Sequence, residues 1–86
     1  MWIVDFCEDN LLRVPGAAEA ATDLEQRVKG MFAGYPSSPV RFYRQRCIVA
    51  CKPCHQTSLI IRINDELVYG NDHEEVILIA LDKLQA

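Results

Sequence analysis

The sequence lacks any long hydrophobic run. Its longest uninterrupted apolar stretch is Val76 to Leu81, far short of the roughly 20 residues that span a bilayer, so no membrane association is expected. The start, Met1-Trp2-Ile3-Val4-Asp5, lacks the basic leader and extended apolar segment of an export signal. The cytosol, a cytoplasmic setting, is therefore the expected compartment. A basic balance is missing as well: Lys and Arg number 9 against 12 Asp and Glu, giving a formal net charge of −3. Nucleic-acid modules usually carry a basic stripe, so no nucleic-acid partner is expected. Glycine-rich phosphate loops, internal repeats and low-complexity segments are also absent.

What the chain does have is apolar material and sulfur. Half of its 86 residues are hydrophobic, and 4 are cysteines. That length holds one core, so a single domain over residues 1–86 is expected. A core of this size gives marginal stability, to which a bound metal or a crosslink would add. In a secreted chain, 4 cysteines would read as two structural disulfides. In a reducing compartment, clustered thiols more often bind metal or do redox work. Burial as a small hydrophobe accounts for Cys7 alone, but poorly for Cys47, Cys51 and Cys54 crowded into one short segment.

Trp2 to Phe6 is β-branched and aromatic and reads as a strand ending at Cys7. Glu8-Asp9-Asn10 reads as a polar loop, and Pro15-Gly16 punctuates the chain. From Ala17 to Phe32 the apolar residues recur at helical spacing, with Ala20, Ala21, Leu24 and Val28 on one face. Gly34 and Pro36-Ser37-Ser38-Pro39 end that helix. Val40 to Arg44 is a second strand, Cys47 to Gln56 a loop or short helical turn, and Thr57 to Ile63 a third strand. Asn64-Asp65 suits a tight hairpin, because both residues tolerate left-handed φ. Glu66 to Tyr69 returns as the fourth strand. Asp72 with Glu75 forms a capping-box signature ahead of a helix that runs to about Leu84. Trp2, Phe42 and Tyr43 read as core aromatics. The acidic pairs Glu8-Asp9 and Glu74-Glu75 read as solvated helix or loop positions, so no enzyme site is expected beyond the thiols.

The order is β-α-β-β-β-α, an α/β chain. Strand–helix–strand favours a right-handed crossover with parallel pairing, and the last two strands form an antiparallel hairpin. A four-stranded mixed sheet with helices packed on it is expected. Parallel neighbours end on one side of the sheet, where ligand sites of open α/β folds gather. The loop after the first strand, with Cys7, and the segment after the second, with Cys47, Cys51 and Cys54, should therefore meet.

Four converging thiolates fit tetrahedral zinc or a [2Fe–2S] cluster. Cys51-Lys52-Pro53-Cys54 also has the C-x-x-C spacing of a reversible disulfide, which needs no cofactor. His55 reads as a surface histidine, with zinc ligation the less favoured role. Arg41, Arg44 and Arg46 precede Cys47, and Lys52 lies between Cys51 and Cys54. Positive charge favours thiolate and would offset an anionic cluster. Arg44, Arg46 and Lys52 are thus candidate supporting cations; a solvated strand face explains the arginines equally well.

The stretch Cys47-Ile-Val-Ala-Cys51, the strand to Ile63, Val68-Tyr69-Gly70 and the helix after Asp72 resemble the C-terminal half of the thioredoxin-like [2Fe–2S] ferredoxins. The resemblance implies a thioredoxin-like fold and a cluster held by Cys7, Cys47, Cys51 and one further thiol. That family carries a second early cysteine; residues 17–21 have none here, which leaves Cys54 as the fourth ligand. A small family of bacterial proteins with no assigned reaction is also similar. It shares an aliphatic-acidic-Phe-Cys-x-x-Asn-Leu start, here Val4 to Leu11, and the C-x-x-x-C-x-x-C pattern of Cys47, Cys51 and Cys54. The expected role is a small redox-related protein, such as an electron carrier, working with a redox partner protein. A thiol–disulfide protein using Cys51 and Cys54, and a structural zinc module, stand as alternatives. Monomer and homodimer are both compatible with the sequence, the latter through the last strand if it forms an exposed edge.

Overall fold

A computed structural model describes residues 1–46 and 58–85. Four strands and three helices follow in the order β1 (Trp2–Cys7), α1 (Glu8–Arg13), α2 (Ala17–Met31), β2 (Val40–Gln45), β3 (Leu59–Ile63), β4 (Glu66–Gly70) and α3 (His73–Gln85). The strands form one mixed sheet in the order β2-β1-β3-β4. β1 and β2 run parallel, with Trp2 opposite Val40 and Cys7 opposite Gln45. β3 is antiparallel to both β1 and β4. The expected α/β class, the four-stranded mixed sheet and the parallel first unit are all present.

Side-chain alternation divides the sheet into two faces. Val4, Phe6, Leu59, Ile61, Ile63 and Val68 point into the core. There they meet Ala17, Ala21, Leu24 and Val28 of α2 and Val76, Ile77, Ala80 and Leu84 of α3. Ala17, Ala20 and Ala21 are all buried in this core. Phe6 is fully buried and stacks on Phe42, with ring centroids 6.1 Å apart. Arg27 joins the two helices, donating to Glu74 at 2.8 Å and to Asp23 at 3.0 Å. Those bonds, Glu74 first and then Asp23, raise the guanidinium pKa above its ordinary value.

The other face carries Ile3, Asp5 and Cys7 on β1, Arg41, Tyr43 and Gln45 on β2, Ile60 and Arg62 on β3, and Leu67 and Tyr69 on β4. Tyr43 belongs to this outer face and is exposed, which corrects its reading as core. Period two, not aromatic character, decides its side: it follows Arg41, whereas Val40 and Phe42 turn inward.

Glu8-Asp9-Asn10 is not a loop but the first turn of α1. The two acidic residues sit in its first turn, where the helix dipole favours them. Asn10, Leu11 and Val14 supply the buried side. Pro15 disfavours helical geometry in the residue before it, and Val14 is extended at φ −95°, ψ 119°. Gly16 then takes φ 84°, a left-handed value that glycine adopts without strain. The two residues thus separate α1 from α2 instead of merely preceding a helix.

The hairpin forms as the sequence predicts. Asn64 sits at φ 53° between the paired residues Ile63 and Glu66. Its amide donates to the Ile3 carbonyl at 2.8 Å, and its side-chain oxygen accepts the Ile3 amide at 2.9 Å. The turn therefore also extends the β1–β3 ladder. Asp72 caps α3, accepting the Glu75 amide at 3.2 Å. Among the described residues, no helix is long and apolar enough to cross a membrane.

Candidate functional site

The carboxyl ends of β1 and β2 lie side by side, so the chain leaves β2 next to Cys7. Cys7 is fully buried, and its Sγ lies 3.6 Å from the Arg46 carbonyl, placed to donate to it. The Asp9 amide donates to the same carbonyl at 3.3 Å. Arg46 is thus pinned by its backbone to the junction of β1 and α1, one residue before Cys47. Cys47, Cys51, Lys52, Pro53, Cys54 and His55 lie outside the described residues.

The chain re-enters at Ser58, which the same junction holds. Asn10, in the first turn of α1, is fully buried. Its Nδ2 donates to the Ser58 carbonyl at 2.6 Å, and its Oδ1 accepts the Ile60 amide at 3.2 Å. Those two backbone groups, on residues two apart, are the ones that a neighbouring strand would pair. β1 pairs with β3 only from Val4 to Phe6 and then turns into α1. The Asn10 amide replaces the missing strand and satisfies two buried groups that would otherwise be costly. Ser58 is tied further through its hydroxyl to Asn71 Oδ1 at 2.8 Å.

The residues flanking segment 47–57, Arg46 and Ser58, are therefore fastened within three residues of Cys7, by Asp9 on one side and Asn10 on the other. Sequence reasoning placed Cys7 here but passed over Asn10. The available signal was its position in Phe6-Cys7-Glu8-Asp9-Asn10-Leu11, three residues beyond the end of a strand whose antiparallel partner continues.

The candidate cations part ways. Arg44 stands opposite Phe6, on the helix-bearing face. Its Nη2 meets Glu25 at 3.0 Å, and its guanidinium carbon lies 5.8 Å from the Phe6 ring centroid. It serves the packing of α2 against β2. Arg46 meets Cys7 through its backbone carbonyl, and its residue is exposed.

Next to Cys7 on the outer face is an ion pair between a buried carboxylate and a part-exposed arginine. Asp5 is 3 % exposed and meets Arg62 Nη2 at 3.2 Å and Gln45 Nε2 at 2.9 Å. Two partners satisfy both carboxylate oxygens, so burial of the charge is offset. These three residues line a shallow depression of about 630 Å³ together with Ile3, Tyr43 and Asn64. It is open to solvent, and Cys7 does not line it. Among the described residues, no cluster of three or more His, Cys, Asp or Glu side chains is spaced to hold a metal ion. Cys7 is the one candidate ligand within that set.

No family model, no curated protein and no solved structure matches the chain.

Proposed function

We propose that this chain is a small redox-related protein of thioredoxin-like type that holds a [2Fe–2S] cluster through Cys7, Cys47, Cys51 and Cys54. One observation carries the reading: Arg46 and Ser58, which flank the segment bearing Cys47, Cys51 and Cys54, are fastened to the β1–α1 junction that buries Cys7. A parallel β-α-β unit followed by an antiparallel hairpin supports the thioredoxin-like assignment. The donor set suits the group, since four thiolates are the usual complement of a [2Fe–2S] cluster. Such a cluster would supply one-electron transfer. The protein's own part would be to exclude water from Cys7, which is fully buried, and to hold the approach of the other thiols through the backbone at Arg46 and Ser58.

The test is anaerobic purification followed by a visible spectrum and iron, sulfide and zinc analysis on one sample. Brown protein with iron and acid-labile sulfide at one cluster per chain, lost in Cys47→Ser and Cys51→Ser, is the expected result. Cys7→Ser should lose it as well. Colourless protein with stoichiometric zinc would replace the cluster with a structural metal. Metal-free protein whose thiol count changes reversibly with reductant would move the chemistry to Cys51 and Cys54.

A further inference from the structure

The sheet has two edges of different character. β2 forms one, and it carries Arg41 and Arg44 with Arg46 just beyond. Antiparallel pairing of that edge with a second copy would bring arginines into cross-strand range, a repulsive arrangement. β4 forms the other, Glu66-Leu67-Val68-Tyr69-Gly70. It has no lysine, arginine or proline, and its one charge, Glu66, is paired with Lys83 of α3. Within β4 there is thus no proline, no bulge and no unpaired charge to blunt the edge.

The hairpin register decides which backbone groups of β4 face outward. A two-residue turn makes its flanking pair, Ile63 and Glu66, hydrogen-bonded. Glu66, Val68 and Gly70 then direct their peptide groups to β3, and Leu67 and Tyr69 direct theirs to the edge. Both of these side chains lie on the outer face, Leu67 37 % and Tyr69 59 % exposed.

These features make the edge self-complementary. We infer that β4 pairs antiparallel with β4 of a second copy of this chain, about a two-fold axis at Val68, to give a continuous eight-stranded sheet. In that register Leu67 faces the partner copy's Tyr69 and exchanges both backbone hydrogen bonds with it, and the symmetric pair does the same. Each exposed leucine gains an aromatic cross-strand neighbour, a favourable pairing. Glu66 falls opposite a glycine, so no like charges meet. The contact is short, which places the dimer among small, weak and concentration-dependent interfaces. The pairing uses no cysteine and stands apart from the cluster proposal.

Light scattering across a dilution series, with reductant present to exclude intermolecular disulfides, should show a monomer–dimer equilibrium. Tyr69→Lys and Leu67→Lys should each weaken dimerisation by roughly tenfold or more, the scale of one lost anchor side chain. Unchanged circular dichroism would show that both variants stay folded. Arg41→Ala on the opposite edge should leave the equilibrium unchanged. Amide exchange reads the register: the Leu67 and Tyr69 amides should be protected at high concentration and lose protection on dilution, whereas Val68 stays protected at both. A monomer throughout the series would overturn the inference. So would a dimer that survives both lysine variants, or one in which Leu67 and Tyr69 exchange freely.

Discussion

The two faces of the sheet follow the same alternation and reach opposite outcomes. On the inner face, Val4, Phe6, Ile61 and Ile63 are sealed under α2 and α3. On the outer face, Ile3, Tyr43, Leu67 and Tyr69 stay exposed around the Asp5–Arg62 pair. The inner face supplies most of the stability through apolar area removed from water. The outer face and the carboxyl ends of β1 and β2 hold polar groups in place instead. In this chain the helix-bearing face is sealed at its centre, whereas the other is sealed at Cys7 and Ile60 and open around Ile3, Tyr43, Leu67 and Tyr69.

That division can be tested by unfolding in urea. Phe6→Ala empties a fully buried, stacked position and should cost about 3–5 kcal/mol. Asn10→Leu keeps the volume but leaves the Ser58 carbonyl and the Ile60 amide without their partner, at a cost on the order of 2–3 kcal/mol. Arg62→Met leaves the Asp5 carboxylate with Gln45 as its remaining hydrogen-bond partner and should cost about 1–2 kcal/mol, less than a deep ion pair because Arg62 is part-exposed. Adding Asp5→Leu to that variant should restore most of the loss, since an apolar pair of similar volume often serves as well. Tyr43→Ser, on the exposed side, should stay within about 0.5 kcal/mol of the parent. If Tyr43→Ser proved as costly as Phe6→Ala, the contrast between the faces would be wrong.

Elements whose local chemistry agrees with their place in the fold were legible in the sequence. The apolar period of α2, the Asn64-Asp65 turn and the Asp72 cap each carry a short-range signal, and each appears where it was read. α1 was missed because Glu8-Asp9-Asn10 is polar throughout and its buried side includes an asparagine. The value of Asn10 depends on Ser58 and Ile60, far along the chain, and no local pattern announces such a bond. Tyr43 was misplaced by weighing residue type over alternation. For the candidate site, the meeting of the β1 and β2 ends was legible from topology. The separate engagement of Arg44 with Glu25 was not, because it depends on how α2 lies across the sheet. Cys47, Cys51 and Cys54 lie outside the described residues.

The Asn10 amide has a consequence for how this chain can change. It completes the β3 ladder from α1, supplying the partners of the Ser58 carbonyl and the Ile60 amide. The sequence 47–57 is then bracketed by fixed posts at Arg46 and Ser58. Its chemistry can be rewritten, by evolution or by design, while the scaffold that presents it keeps its register.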